Sequence, residues 1–598
     1  MKKQTGENQW KKILPEFLAV LLCLLLMGIG ISQKEGYHMD ELLSFELADA
    51  RYNPWIVPTQ PVGRLAKFVD EEIRGTTLSA TVGNLKDTIM DVLKNRGSSK
   101  LLSYKADVYE EPVWITDKQF RDYVTVDGSD AFDYLSVYFN VKDDNHPPVH
   151  FMLLHTMSSI FQKTLSPLLG CAINLISLGI TLWLLLRLGR QLTDVFLPGM
   201  DGRWLGMTAV LLYGMSTGAL ATVLLIRMYG LLSCLCVALL SIHVEKWKNQ
   251  EFDRKNKGLT AVTVLGFLTQ YFFLFYCLLL AAVTAAVLMQ SRRKKELWIY
   301  IRSMVTAAVI GLFLFPFAIA DVFSSSRGTE ALGNLASGFR GYGERILTFG
   351  KILAERTVGI PLLVGGCIAG LVLLVMWLVR VIRRCRVQGE RVPAAEASRI
   401  SVGAIVAILT IPVTGYFLLA SRMSPYLVDR YIMPIFPFVS LLLALLLCWF
   451  GRKISEISGW KTRNAALCML AVILLVQGMR LIDYDGEYLY KGYRQQEQLA
   501  EAYASDPCIC VYVGVGYYEN LPEFMHYSKT LLLTEQELEN RENTESLEAL
   551  DHVVVMIKPG VEEATALNTL QEKYGFFLEE TLMSSGVHGD SIYLLGKK

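Results

Sequence analysis

The sequence predicts a polytopic all-α membrane protein with about eleven transmembrane helices, a large first outer loop and a small C-terminal α/β domain outside the membrane. The chain has 598 residues, of which 52% are hydrophobic and 19% charged, so it is too long and too apolar for one soluble domain. Its charged residues are clustered between long apolar runs. Runs of roughly 18 or more residues with few charges are typical of helices that cross a bilayer.

The first apolar run, Ile13–Ile31, follows a lysine-rich start and ends without a small-residue cleavage site. We therefore interpret it as an uncleaved first helix with a cytoplasmic N-terminus. A polar stretch from Gln33 to about Asn145 comes next. The apolar run Gly258–Gln290 is too long for one span and is predicted to form two helices that turn near Gln270-Tyr271. The other predicted spans are Ser166–Leu186, Trp204–Leu225, Met228–Val244, Trp298–Ala320, Ile360–Val379, Ile400–Ala420, Tyr431–Phe450 and Asn464–Gly478.

The short apolar segment 147–162 decides the predicted orientation. It could cross the membrane or lie along the outer interface. If it lies flat, five basic clusters fall on the cytoplasmic side, where loops rich in Lys and Arg are normally found, and if it crosses they all fall outside. We therefore predict a flat interfacial helix. The clusters are Arg187/Arg190, Lys246–Lys257, Arg292–Lys295, Arg380–Arg391 and Arg452–Arg463.

Two domains follow from this arrangement. Residues 1–481 are predicted to form the membrane module, with a first outer loop at 33–165 that includes the interfacial helix. Residues 482–598 are predicted to form an extracytoplasmic α/β domain. Its strand-like runs are Cys508–Gly514, His552–Lys558 and Ser591–Leu595, and its helical pattern is Glu562–Tyr574. Cys508 and Cys510 are two residues apart in a strand, which favours core packing over a disulfide.

Composition excludes some classes of function. The net charge of +1 argues against a nucleic-acid partner, which needs a large basic excess. No cysteine spacing is typical of a metal site. No Asp, Glu or Lys lies in the middle of a predicted span, whereas transporters usually carry such groups near the midplane. The polar loops are therefore the predicted place for chemistry.

Two acidic segments lie in the first outer loop. Asp40-Glu41 follows closely on the first helix, and Asp144 and His146 precede Pro147-Pro148. Each segment has a structural alternative. Asp40 or Glu41 would favour the positive end of a helix Leu42–Ala50, and prolines are sterically suited to a helix start.

Arginines are predicted at the outer ends of two spans, as Arg227-Met228-Tyr229 and Arg430-Tyr431. The alternative reading is interfacial snorkelling and aromatic anchoring. Acids and arginines on one outer face suit glycosyl transfer from a lipid phosphate. A carboxylate would take the proton of the acceptor hydroxyl, and arginines would stabilise the departing phosphate.

At these residues the chain resembles the GT-C membrane glycosyltransferases of family 39, the protein O-mannosyltransferases and bacterial aminoarabinose transferases. The resemblance covers roughly residues 18–450. The matching segments occur in the family's order: Asp40-Glu41, Asp144-x-His146-Pro147-Pro148, Arg227-Met228-Tyr229, Thr269-Gln270-Tyr271-Phe272 and Asp429-Arg430-Tyr431-Ile432-Met433-Pro434.

The resemblance implies a polyprenyl-phosphate sugar donor, inversion, and Asp40 as general base with Glu41 beside it. It implies that Asp144 and His146, with Glu41, shape the acceptor site. It also implies that the donor phosphate is bound by Arg227, Tyr229, Arg430 and Tyr431. Two departures stand out: many relatives have His where Gln270 stands, and the first loop carries an insertion around Val62–Ser103.

Two other functions stay open at this point, a lipid or polysaccharide transporter and a non-catalytic scaffold that presents the C-terminal domain. The sequence identifies neither the sugar nor the acceptor, which could be a lipid, a protein or a cell-envelope glycan. The sequence does not identify a cofactor. Loop acids could hold a divalent metal, although no ligand spacing indicates one.

Overall fold

The structure is a computed structural model that describes residues 2–252, 256–338, 340–360, 402–458 and 462–597, with 363–365, 368, 371 and 375. Helices dominate the chain up to residue 482. In order, the helices are α1 (Lys2–Ser32), α2 (Met39–Asp49), α3 (Arg64–Phe68), α4 (Leu78–Asn95), α5 (Lys100–Ser103), α6 (Asp117–Val124), α7 (Tyr134–Asn140), α8 (Val149–Ile160), α9 (Pro167–Phe196), α10 (Gly202–Gly214), α11 (Thr217–Leu224), α12 (Tyr229–Asn249), α13 (Lys257–Phe267), α14 (Phe273–Gln290), α15 (Lys294–Leu314), α16 (Ala318–Phe323), α17 (Ser326–Ala336), α18 (Tyr342–Arg356), α19 (Val402–Met423), α20 (Phe436–Ser458), α21 (Thr462–Ile482), α22 (Tyr493–Ala502), α23 (Leu521–Phe524), α24 (Glu535–Asn540), α25 (Glu545–Glu548) and α26 (Glu563–Tyr574).

Among the described residues, 7 helices are long and apolar enough to cross a membrane, or up to 8 if the bent pair α10–α11 is one span. Two further apolar helices, Lys257–Phe267 and Leu467–Ile482, are shorter. The prediction of a multi-pass helical membrane protein is confirmed. The described helices do not establish the predicted count of eleven. The predicted span Ile360–Val379 lies mostly outside the described residues.

Two of the apolar runs contain breaks. The predicted turn near Gln270-Tyr271 is confirmed, because α13 ends at Phe267 and α14 begins at Phe273. The break between α10 and α11 was not predicted. Ser216 starts α11 by accepting a hydrogen bond from the Ala219 N–H at 3.0 Å, and the two helices differ in direction by 59°.

The predicted interfacial helix is α8, which has 12 residues. At 1.5 Å per residue it is about 18 Å long, which is shorter than a hydrocarbon core of about 30 Å. The helix is therefore too short to cross a bilayer by itself. Its predicted position along the outer interface stays a prediction.

The chain forms two compact units. The membrane unit contains Met1–Ser32, Asp144–His150 and Cys171–Gly486. The other unit, which we call the loop–sheet unit, contains Gln33–Asp143, Phe151–Gly170 and Glu487–Lys598. Most of the first loop thus belongs to the same compact unit as the C-terminal segment.

The loop–sheet unit is built on a six-stranded sheet of order β1-β3-β2-β4-β6-β5. β2 is parallel to β3 and to β4, and the outer pairs are antiparallel. The predicted α/β pattern is confirmed, including the helix α26. The strands are β1 (Ile115–Thr116), β2 (Cys508–Tyr512), β3 (Lys529–Thr534), β4 (His552–Ile557), β5 (Phe576–Met583) and β6 (Ser591–Lys597).

The core of this sheet agrees with the sequence reading of its central strand. Cys508 and Cys510 are both fully buried and both free, as predicted for core residues. On the alternate positions of β2, Ile509 and Val511 pack with Leu531 and other apolar side chains of the neighbouring strands. Burial on both faces is typical of parallel strands.

The first loop completes this sheet. β1 comes from the loop and pairs with β3, with Ile115 opposite Thr530. The Tyr517 hydroxyl donates to the Ile56 carbonyl at 2.8 Å, and the Arg541 guanidinium donates to the Pro112 carbonyl at 3.0 Å. Both bonds are buried, so they tie the loop and the C-terminal segment into one folded unit.

Candidate active site

The first acid pair lies in the first turn of α2, which begins at Met39. His38 precedes the helix, and its Nδ1 accepts a hydrogen bond from the Asp40 N–H at 3.0 Å. The His38 N–H in turn donates to the Glu41 carboxylate at 2.7 Å. This reciprocal arrangement is a capping box, with His38 as the cap residue. The structural alternative for this segment is therefore confirmed for Glu41.

The two adjacent acids have different surroundings. The Glu41 side chain is fully buried, and its oxygens lie 2.9 and 3.2 Å from the Lys34 ammonium, which also donates to the Tyr488 carbonyl. The Asp40 side chain is 21% exposed. A general base must reach the proton that it removes, and this favours Asp40 over Glu41.

Two further acids on α2, Glu46 and Asp49, were not singled out from the sequence. Glu46 is fully buried, and Asp49 is buried with a carboxylate oxygen 3.4 Å from Nδ1 of His155 on α8. Burial raises the pKa of both acids. Their spacing of three places them on one face of the helix, a signal that was available in the sequence.

The second acidic segment forms a chain of polar contacts in the membrane unit. Asp144 Oδ2 and His146 Nδ1 are 2.8 Å apart, and His146 Nε2 is 3.4 Å from Nη2 of Arg227. A guanidinium can only donate, so His146 Nε2 accepts and the protonated Nδ1 donates to Asp144. The structure thus brings together residues of two motifs that lie 81 positions apart.

The charges of this chain follow from its burial. Burial raises the pKa of Asp144, but His146 and Arg227 lower it more, so the pKa lies below its ordinary value and the carboxylate is charged. Burial, the largest cause, and the charge of Arg227 lower the pKa of His150 to about 3, so this neighbouring ring is neutral. The segment therefore holds one anion against one guanidinium.

A break in the helices positions Arg227. α11 ends at Leu224 and α12 begins at Tyr229, so Arg227 lies in a non-helical junction. Arg227 and Tyr229 are both buried, at 6% and 3% exposure. A long cationic side chain that snorkels to water would be exposed, so burial argues against the snorkelling alternative for Arg227.

The second arginine motif adjoins the segment Thr269–Phe272. Arg430 is half-buried, with its guanidinium 5.6 Å from the ring of Tyr431. The Tyr431 ring lies 5.5 Å from that of Phe272. The preceding Tyr271 donates its hydroxyl to Asp321, and burial, Asp321 and Asp144 raise its pKa. Residues 271–272 thus adjoin both the Asp144 motif and the Arg430 motif.

One ion pair beside this motif was not singled out from the sequence. Arg356 Nε lies 2.7 Å from Asp429 Oδ2, and Asp429 is 5% exposed. Arg356 ends α18, which lies within the segment Asp321–Thr357 that the sequence predicts to be an outer loop. The reasoning that selected Arg227 and Arg430, an arginine at an outer helix end, would have selected Arg356 as well.

The described residues contain no group of three or more His, Cys, Asp or Glu side chains that could hold a metal ion. Asp40 and Glu41 belong to the loop–sheet unit, and the Asp144, Arg227 and Arg430 motifs belong to the membrane unit. Each set is described within its own unit. Their predicted roles in one reaction stay a prediction.

No protein-family model and no curated protein matches the chain. Solved structures that are similar to it include two of ArnT from Cupriavidus metallidurans. The structure bound to undecaprenyl phosphate has a TM-score of 0.46 at 11% identity, covering 97% of this chain and 97% of that one. The apo structure has a TM-score of 0.42 at 12% identity, covering 75% of this chain and 87% of that one. At this identity the likeness concerns the fold alone.

Proposed function

We propose that this protein is a membrane glycosyltransferase that moves a sugar from a polyprenyl-phosphate-linked donor to an acceptor on the outer face of the membrane, with inversion. The observation that carries the proposal is the partly buried chain Asp144–His146–Arg227. It joins two of the motifs singled out from the sequence into one polar centre. Polar groups in a membrane unit are costly to bury and are usually retained for function.

Arg227 and Arg430 would bind the donor phosphate in this scheme. Phosphate oxygens are well matched by the fork of N–H donors on a guanidinium. His146 and Asp144 would fix the orientation of the guanidinium. As the phosphate leaves the sugar, a guanidinium held in advance stabilises the negative charge that develops.

Asp40 would act as the general base. Its carboxylate is partly exposed at the start of α2, and its backbone N–H is held by His38. It would accept the proton of the acceptor hydroxyl while that oxygen attacks the anomeric carbon and the bond from this carbon to the phosphate oxygen breaks. Glu41, paired with Lys34, would keep the turn rigid.

A reconstituted transfer assay tests the proposal. Membrane vesicles with and without the protein would receive polyprenyl-phosphate sugars that carry an isotopic label, and mass spectrometry would follow the lipid-linked sugar and the surface glycans. We expect loss of the donor and gain of a labelled glycan only when the protein is present. Unchanged donor and glycans across a panel of hexosyl and pentosyl donors would contradict the proposal.

The orientation of the protein belongs to the proposal as well. The N-terminus would be cytoplasmic, and the acids and arginines would lie on the outer side. A cysteine introduced within Arg292–Lys295 should be labelled only after the membrane is permeabilised. Labelling of that cysteine from outside in intact cells would contradict this orientation.

A further inference from the structure

The order of the parallel strands reverses direction at β2, in the C-terminal part of the loop–sheet unit. From β2 the chain runs to β3 on one side and then returns to β4 on the other side, with all three strands parallel. Such a reversal places the carboxyl ends of the two diverging strands beside each other, and open α/β sheets bind ligands there. The loops at this edge are Val513–Gly516 after β2 and Lys558–Gly560 after β4, and Gly514 has a φ of +66°.

A buried polar cluster fills this edge. The Lys558 ammonium donates to Glu519 at 3.0 Å, to Asn520 at 2.8 Å and to Asp590 at 2.5 Å. The second oxygen of Asp590 accepts from Gln496 and from Asn520. All three N–H groups of Lys558 are thus used within the protein. Lys558 therefore has no N–H left for an anion, and the carboxylates around it repel one.

His588 lies beside this network and has a ring nitrogen, Nε2, that the network does not bind. Its side chain is 7% exposed, Nδ1 lies 3.9 Å from Glu519, and the buried Nε2 makes no hydrogen bond to any described residue. Burial lowers the pKa of His588, so the ring is neutral. A neutral imidazole nitrogen can donate to or accept from a hydroxyl group.

Tyr490 lies beside His588 and has an unfavourable backbone conformation. Tyr490 has a φ of +49°, a value that residues other than glycine rarely adopt. Residues in such conformations are concentrated at functional sites. Its ring lies 5.6 Å from that of His588 and 5.2 Å below the Lys34 ammonium. Tyr490 and Glu519 are both partly exposed, so a ligand could reach this side of the cluster.

The cluster also adjoins the start of α2. Gly36 packs directly on the Tyr493 ring, where a Cβ atom would come within 2.5 Å. His588 interacts electrostatically with His38, the cap residue that holds the Asp40 N–H. The polar edge of the sheet and the turn that presents Asp40 are therefore neighbours within one compact unit.

We propose that His588, Glu519 and Tyr490 form a binding site for an uncharged saccharide, and that this site receives the acceptor glycan. Sugar hydroxyls would donate to Glu519 and pair with His588 Nε2, and the partly exposed Tyr490 side chain would border the sugar. The identification of the saccharide as the acceptor rests on the proposed function. The binding site itself rests on the cluster alone.

Saturation-transfer NMR on the full-length protein in lipid nanodiscs tests this site. The probes are methyl α-mannoside, methyl β-glucoside and methyl β-galactoside, with inorganic phosphate as the anionic contrast. We expect transfer to at least one glycoside, and a loss of affinity of about tenfold in His588→Ala and in Glu519→Gln, as for removal of one hydrogen bond to a buried group. The exposed Glu562→Gln is the matched control and should bind as the wild type does.

Thermal unfolding of each variant separates lost binding from lost folding, and Glu519→Gln keeps the site falsifiable if His588→Ala does not fold. Equal glycoside binding in all variants, or no binding at all, would overturn the site, as would phosphate binding that depends on His588. If glycosides bind through His588 but no sugar is transferred, the proposed function fails and the site stands. If transfer proceeds at wild-type rates in folded His588→Ala and Glu519→Gln, the assignment of the site to the acceptor fails and the proposed function stands.

Discussion

The two acidic segments of the chain, Asp40-Glu41 and Asp144 with His146, both lie close to the start of a helix, yet they have different partners. Glu41 is closed off by a buried lysine and by the cap of α2. Asp144 is linked through His146 to Arg227. A lysine–carboxylate pair that is fully buried fixes a turn. A carboxylate that reaches an arginine through an imidazole fixes the direction of a cation that a ligand could use.

The comparison also separates neighbouring residues of one motif. Asp40 and Glu41 are adjacent and chemically similar, but one is partly exposed and the other is enclosed. Successive residues of a helix lie about 100° apart, so adjacent side chains meet different surroundings. A pair of acids in sequence therefore need not be a pair in function.

The largest effect should come from Asp40→Asn. We expect the initial rate of sugar transfer to fall about 10³-fold, because an amide cannot accept the proton and general bases contribute factors of this size. The turn itself should survive, since its side-chain cap bonds come from His38 and Glu41. Wild-type transfer by folded Asp40→Asn protein would remove the distinction between the two acids.

Glu41→Gln should act on folding instead. It leaves the buried Lys34 ammonium without its anion, and loss of one partner of a buried pair typically costs about 3–5 kcal/mol. We expect a large drop in the thermal unfolding midpoint of the detergent-solubilised protein. The double variant Lys34→Met/Glu41→Leu, which removes both charges, should recover most of the loss. If Glu41→Gln were as stable as the wild type but inactive, Glu41 would belong with Asp40.

Arg227→Lys tests the other segment. A lysine keeps the charge but lacks the fork that contacts His146 and a phosphate together, so kcat/KM for the lipid-linked donor should fall about 10²-fold. The matched control is Arg203→Lys, since Arg203 pairs with the nearby Asp201 on the surface. Donor kinetics measured on both variants decide the case. Equal kinetics would show that Arg227 is only an anchor.

The smallest effect concerns pH. The pKa of His150 is lowered to about 3 by burial and by Arg227, so below pH 6.5 the unfolded chain binds a proton that the folded chain excludes. This group's contribution to stability is complete above pH 6.5 and is lost as the pH falls toward 3. Between pH 7.5 and 5.5 the wild type should lose about 1.4 kcal/mol more than His150→Gln. Parallel unfolding curves for the two proteins would contradict this prediction.

The sequence predicted the parts of the fold that depend on local pattern. Apolar runs located the described helices that are long enough to cross a membrane, and alternation located β2, β4 and β6. Both patterns repeat within a few helical turns or a few strand residues. The bend between α10 and α11 was missed, since Ser216 in an apolar run is a weak signal. β1 was missed because a strand of two residues has no period. Its partner is supplied by residues far along the chain.

In the candidate site, too, the sequence predicted the residues that belong to motifs but not the contacts that depend on tertiary packing. Motif order singled out Asp40, Asp144, His146 and Arg227, but a motif does not say which side chain meets which. The Lys34–Glu41 pair and the His146–Arg227 contact depend on tertiary packing. The cluster around Lys558 could not be found from pattern, because its members come from four separate segments that only the sheet brings together.

The pairing of β1 with β3 has a consequence for how the chain is threaded. Hydrogen-bonded strands share one aqueous compartment, so the chain between Thr116 and Lys529 must cross the bilayer an even number of times. Gain or loss of a single crossing in that stretch would leave the two strands on opposite sides of a lipid barrier. The pairing of two residues in β1 with two in β3 thus requires that the number of membrane-spanning helices between these strands be even.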